Sequence, residues 1–188
     1  MKKTLTLVTL LASALAVNAQ KWNVDKAHSN VGFTITHMML SDVDGQFRDI
    51  EATITADKDD LSDAVFEFTA QANSIDTRIE RRDTHLKSAD FFEVEKYPTV
   101  AFKSTSFKHL EGKKYKMKGN LTIKDVTKEV EMDVIVNGPI VNPRNQKKMV
   151  GVKATGEIDR YDFHIGGESG AGQSREVVIF ANGEFTKE

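Results

Sequence analysis

Apolar and polar residues alternate with a period of two along most of the chain. Val31, Phe33 and Ile35 oppose Gly32, Thr34 and Thr36, and Phe66, Phe68, Ala70 and Ala72 oppose Glu67, Thr69 and Gln71. Tyr115, Met117, Leu121 and Ile123 oppose Lys116, Lys118, Asn120, Thr122 and Lys124, while Val130, Met132, Val134 and Val136 oppose Glu129, Glu131 and Asp133. Successive side chains of a strand point to opposite faces, so each run predicts a strand with one buried and one solvated side. The pattern returns over residues 50–56, 99–107, 150–158 and 177–185. About eight strands joined mostly by short turns predict an all-β domain, an antiparallel meander closing on itself.

One segment, residues 77–102, breaks the rhythm. Thr77 and Glu80 stand at the spacing of a capping box, in which each side chain satisfies a free backbone N–H of the other's residue. Ile75, Ile79, Leu86 and Ala89 recur near the helical period, and Pro98 ends any helical tendency before extended chain resumes at Thr99. The expectation is a short helix or two, apolar on one side, laid across the sheet as a lid or plug.

Alternation alone does not say which face is inside. An outer-membrane barrel turns its apolar face outward and needs two aromatic girdles. One Trp and three Tyr cannot build them, Lys128 interrupts an apolar face, and the last residues are Thr186, Lys187 and Glu188. The apolar faces are therefore expected inside. A barrel of about eight strands is just wide enough to be filled by side chains or to hold one small ligand. Ala52, Ala56, Ala70, Ala72, Ala154, Gly156 and Ala181 are small inward candidates that would leave room, and opposing Phe and Met residues could fill it. The residues alone leave the two outcomes even.

Lys2 and Lys3, the apolar run 5–17 and Ala19 form the three parts of a cleavable secretory signal, giving a leader over 1–19 and one domain over 20–188. The run is short for a bilayer span and no later window matches it, so no transmembrane segment is expected. Cysteine is absent from the 188 residues, which excludes a lipid-anchored leader, disulfides and thiolate catalysis. The formal charge is −2, and without Lys2 and Lys3 it becomes −4, so no basic field exists to hold nucleic acid.

Histidines stand at 28, 37, 85, 109 and 164 with no metal-ligand spacing among them, and no metal site is expected. His28 reads as a rim residue, whereas His37 follows Val31, Phe33 and Ile35 on the inward face. Asp83 and His85 are two apart and diverge on a helix, which argues against an acid–base pair and leaves Asp83 to cap backbone or pair with an arginine. Arg78, Arg81, Arg82 and Lys87 could meet an anionic headgroup, although such runs are more often a solvated face. Arg160 and Asp162 are a second candidate rim pair, with the same alternative of a solvated face. The glycine cluster 166–172 lacks the third glycine of a dinucleotide fingerprint and the spacing of a nucleophile elbow around Ser169, so it reads as a loop.

Four stretches together resemble the YceI-like family of periplasmic lipid-binding proteins. They are WNVDKAHSNVGFTITHMMLSDVDGQF (22–47), RRDTHLKSADFFEVEKYPTVAF (81–102), GNLTIKDVTKEV (119–130) and GEIDRYDF (156–163). The resemblance implies a lipocalin-like, eight-stranded antiparallel barrel whose apolar central pore holds a polyisoprenoid, isoprenoid quinone or similar lipid, in the periplasm. Read with the alternation, it gives a pore lined by Phe33, Ile35, His37, Phe66, Phe68, Phe102, Met117, Leu121, Met132, Val134 and Ile179, with Arg78, Arg82, His85 and Arg160 at the rim. The protein implied is a carrier with no catalytic residue and no cofactor beyond its lipid. Two alternatives stand beside it: an enzyme acting on a lipid with His37 or His85 as base, and a structural or stress protein with a filled barrel. One open mouth is also compatible with a homodimer that covers it.

Overall fold

The computed structural model describes residues 19–58, 60–167 and 172–188. The leader expected over 1–19 lies outside these residues apart from Ala19, as does Ser169 with most of the glycine cluster. The strands are β1 (Gln20–His37), β2 (Ser41–Phe47), β3 (Ile50–Ala56), β4 (Val65–Gln71), β5 (Ile75–Asp76), β6 (Thr99–Glu111), β7 (Lys114–Ile123), β8 (Val126–Val141), β9 (Lys148–Asp159) and β10 (Gln173–Lys187). One helix, α1 (Glu80–Lys87), lies between β5 and β6.

Eight of the strands form a closed antiparallel barrel in the order β1-β3-β4-β6-β7-β8-β9-β10, with β10 returning to β1. These eight carry the runs singled out by alternation. The other two were hidden. β2 forms a hairpin with the second half of β1, and β5 pairs with its outer edge through Gln46 and Phe47. Closure pairs each strand of the ring on both sides, although the β1–β3 seam is short, and so covers most of the strand edges.

The outside is charged. Lys116 reaches Glu131 at 3.2 Å and Asp133 at 2.6 Å across β7 and β8, Lys118 reaches Glu129 at 3.6 Å, and Lys103 reaches Glu67 at 2.7 Å across β6 and β4. Each such pair stabilises little, but together they give the opposite of the outward apolar band that a membrane-spanning barrel requires. Inside, Trp22, Ile54, Val134 and Val150 are among the most completely buried side chains. Phe66, Phe107 and Tyr115 add an aromatic group with ring centroids 4.8 and 4.5 Å apart.

The helix departs from expectation in two ways. Glu80 and Thr77 make no capping box: the N-cap residue is Ile79 and no side chain caps it. Instead Thr77 is tied to Asp83, which accepts from both its backbone N–H and its hydroxyl. Nor does α1 have an apolar side, since none of its residues is buried. Ile79 and Ala89 are exposed, Leu86 lines the cavity, and Ile75, buried in the core, belongs to β5 and not to the helix.

Candidate functional site: an apolar cavity in the barrel

The inward faces of the strands enclose a cavity of about 400 Å³. That volume lies in the range of small-molecule sites, about 300 to 1,000 Å³. Phe33, Ile35, Phe66, Phe68, Phe102, Met117, Leu121, Met132 and Ile179 all line it, as alternation proposed. His37 lines it too, at the exposed end of β1. Val134 does not. It lies opposite Tyr115 in the β7–β8 ladder and is buried in the core beside the aromatic group, so an inward position does not make it a lining residue.

Two glycines keep the bore open. A Cβ on Gly45 would sit 2.3 Å from the ring of Phe33, its partner across β1 and β2, and a Cβ on Gly119 would sit 2.3 Å from the ring of Phe102. The tips of both rings therefore rest over bare glycine backbone in the wall, which leaves more of the centre free. Ala52, Ala154 and Ala181 add small side chains to the lining. The filled-barrel alternative fails on this point, because the side chains do not close the interior.

Polar lining gathers at the mouth, where α1 crosses the end of the barrel. Arg82 donates through Nε to the Thr77 hydroxyl at 2.7 Å and through Nη2 to the Thr77 carbonyl at 2.8 Å. His85 packs edge-on against Phe91, with ring centroids 4.8 Å apart, and lies 3.5 Å from Asp90. Arg160 is only 4% exposed, and its guanidinium donates to the carbonyls of Ser174 (2.9 Å) and Ile165 (2.8 Å) and to the Tyr161 hydroxyl (3.0 Å). These bonds tie the start of β10 to the turn after β9, so Arg160 is first a structural clasp, with one flank on the cavity. Arg78 is not at the cavity: it is exposed, 3.9 Å from Asp44. Asp162 likewise leaves the rim and pairs with Lys128 at 2.7 Å.

Other lining residues escaped the alternation. Phe91 and Phe92 come from the irregular segment after α1, and Phe47 from β2 packs its ring edge against Phe92 at 5.8 Å. A signal for β2 exists: Val43, Gly45 and Phe47 alternate with Asp42, Asp44 and Gln46, masked by the glycine and the charges.

The wall is also interrupted. β1 pairs with β3 only over residues 20–23 and with β2 from Val31 onward, while residues 26–29 bulge opposite Gly183 of β10. Ser29, Thr53 and Asn182 line the cavity at this gap. Lys26 spans it, pairing with Glu51 and lying 3.9 Å from Asp49. The same bulge brings Asp25, His28 and Glu184 within 4.8 Å of one another. The His28 ring and the Asp25 carboxylate are hydrogen-bonded at 2.9 Å; their bond holds the histidine above, and the aspartate below, its ordinary pKa. The site thus offers an apolar bore with polar groups at its two openings, and among the described residues no nucleophile, base and orienting group converge on it.

A model of the YceI-like domain matches residues 22–185. Protein YceI of Salmonella newport strain SL254 is 37% identical over 189 residues, an alignment covering 97% of this chain and 98% of the relative. The crystal structure of the Campylobacter jejuni YCEI protein superposes with a TM-score of 0.71 at 31% identity, covering 88% of this chain and 96% of that one. A polyisoprenoid binding domain from Saccharophagus degradans shares the fold with a TM-score of 0.66 at 12% identity, covering 89% and 98%. The domain match across almost the whole barrel, with a nearly end-to-end alignment to the Salmonella relative at 37% identity, makes this chain a member of the YceI-like family.

Proposed function

We propose that the protein binds one long-tailed amphiphilic lipid, of the polyisoprenoid or isoprenoid quinone class, inside the barrel and carries it without a chemical step. The observation that carries this reading is the cavity itself: an apolar bore kept open by Gly45 and Gly119, with polar groups confined to its openings. A tail that loses roughly 400 to 500 Å² of apolar surface to water gains about 10 to 12 kcal/mol before association costs. Those costs take back much of it, yet micromolar binding needs no headgroup contact. The polyisoprenoid binding domain of similar fold supports the choice of lipid class. The leader-like residues 1–19 and the lack of cysteine support a periplasmic setting.

A carrier needs no acid or base, and His37 and His85 take no such part in this proposal. The test is to purify the protein from the compartment where it accumulates, denature it, and identify the organic-soluble material released by mass spectrometry. One isoprenoid or similar long-chain lipid per chain is the expected result. Protein that is empty, and stays empty after incubation with polyprenyl lipids and quinones, ends the carrier reading.

A further inference from the structure

We infer that the tip of the β1–β2 hairpin docks the mouth of the barrel onto a lipid bilayer. Met38, Met39 and Leu40 form this tip and are 55%, 82% and 86% exposed. The turn is closed by the Leu40 N–H donating to the His37 carbonyl at 3.0 Å, with Met38 and Met39 at φ 54° and 55°. Two central residues at positive φ are the mark of a turn that favours Asn and Gly. Methionine at both positions works against the turn, so the tip is not composed for local stability, and three consecutive large apolar side chains are presented at its expense.

The tip is held in place beside the opening. The Met38 N–H donates to the Gly172 carbonyl, and the Met38 sulfur fills the space a Cβ on Gly172 would need, 2.7 Å away. Met38 thereby anchors the hairpin to the start of β10, while Met39 and Leu40 project. The residues flanking this anchor, His37 and Gln173, both line the cavity. Across the same mouth, Ile79 is 52% exposed, and Arg81 and Lys87 of α1 have no ion-pair partner among the described residues.

A bilayer suits this arrangement. The apolar side chains can pass below the headgroups, the unpaired cations can meet phosphates, and the cavity then opens towards the acyl chains. A second copy of the chain suits it less, because a stable interface buries about 800 Å² on each partner and a three-residue tip offers only part of that. Exposed apolar residues also occur at the other end of the barrel, Leu110, Ile140 and Val141, but none of them lines the cavity. They serve as the control.

The test is flotation of the purified protein with vesicles made of equal parts phosphatidylethanolamine and phosphatidylglycerol. Three proteins are compared: the natural chain, the pair Met39→Asn with Leu40→Ser, and the pair Ile140→Ser with Val141→Ser. Asparagine tolerates positive φ, so the tip pair keeps its turn, and circular dichroism checks its fold. The natural chain is expected to float with the vesicles, the tip pair to bind about tenfold or more weakly, and the distal pair to bind as the natural chain does. No binding by the natural chain, or equal binding by the tip pair, overturns the inference. So does loss of binding in the distal pair, or a natural dimer in sedimentation that the tip pair dissociates. Lipid loading from detergent micelles is measured separately. The tip pair should load normally, and a natural chain that floats yet never loads removes the carrier reading while docking stands.

Discussion

Asp83 accepts two hydrogen bonds from Thr77, one from its backbone N–H at 2.8 Å and one from its hydroxyl at 2.5 Å. Thr77 is 2% exposed and lines the cavity, and its hydroxyl in turn accepts from Arg82. The three residues make a clasp that fixes the first turn of α1 over the mouth. Asp83→Ala leaves two donors of a buried residue without their acceptor and is expected to destabilise the fold by about 1 to 3 kcal/mol. Asp83→Asn, which keeps one acceptor oxygen, should cost less. Glu80→Ala should cost almost nothing, because Glu80 makes no cap. Urea unfolding of the three variants checks the order, and a Glu80 effect as large as that of Asp83 would restore the capping box.

The contact between Gly45 and the ring of Phe33 gives a test of the bore that spares the fold. Gly45 has no positive φ, so alanine is compatible with its backbone. Its Cβ would meet the far end of a side chain that can swing, and the ring would move into the cavity. Gly45→Ala is expected to lower lipid occupancy about tenfold while unfolding shifts by less than about 2 kcal/mol. Gly119→Ala should likewise push Phe102 into the cavity, but its Cβ would also stand 2.6 Å from the Lys103 carbonyl oxygen, so it is expected to cost more stability than Gly45→Ala. Unchanged occupancy in both variants would mean that the lipid does not occupy the centre of the barrel.

What the sequence made legible follows from how cleanly each strand alternates. β7 and β8 place lysines and acids opposite Met117, Leu121, Met132 and Val134, and one period of two suffices to read them. β2 was lost because Gly45, the residue that makes room for Phe33, also weakens the strand signal. The first half of β1 was lost at the bulge, where Lys26 and His28 interrupt the alternation begun by Trp22 and Val24. Long-range side-chain pairings were out of reach: Glu184 meets Asp25 and His28 only after β10 closes on β1. Alternation also places Val134 on the inward face but cannot distinguish a residue that lines the cavity from one that its neighbours cover.

The pair formed by His28 and Asp25 makes stability depend on pH in a set direction. Its hydrogen bond, followed by charge, raises His28 above the usual 6.5, and the same bond lowers Asp25 below the usual 3.8. The histidine contribution is complete below pH 6.5 and is lost as pH rises through the raised folded value. The aspartate contribution is complete above pH 3.8 and is lost as pH falls through the lowered folded value. Both act together between pH 3.8 and 6.5. His28→Gln should therefore melt below the natural protein in that window and converge with it in alkaline buffer. His28 is exposed and Asp25 only partly covered, so the difference is expected to be small and weakened by salt. Melting curves across pH for both proteins decide it, and a gap that widens above neutrality would contradict the assignment.

Trp22 separates stability from binding. It is fully buried, it does not line the cavity, and its indole N–H meets no acceptor among the described residues. A buried donor without a partner costs about 1 to 3 kcal/mol, so Trp22→Phe removes that cost while giving up part of the ring's packing. The two changes oppose each other, and the net effect is expected to lie within about 1 kcal/mol of zero. Trp22→Ala removes the packing as well and should destabilise by about 3 to 5 kcal/mol. Because this is the single tryptophan of the chain, unfolding is followed by circular dichroism and not by fluorescence. Lipid occupancy of Trp22→Phe should equal that of the natural protein. A loss of several kcal/mol in Trp22→Phe would mean that the indole N–H is satisfied after all, and a loss of lipid without loss of stability would mean that the bore extends down to Trp22.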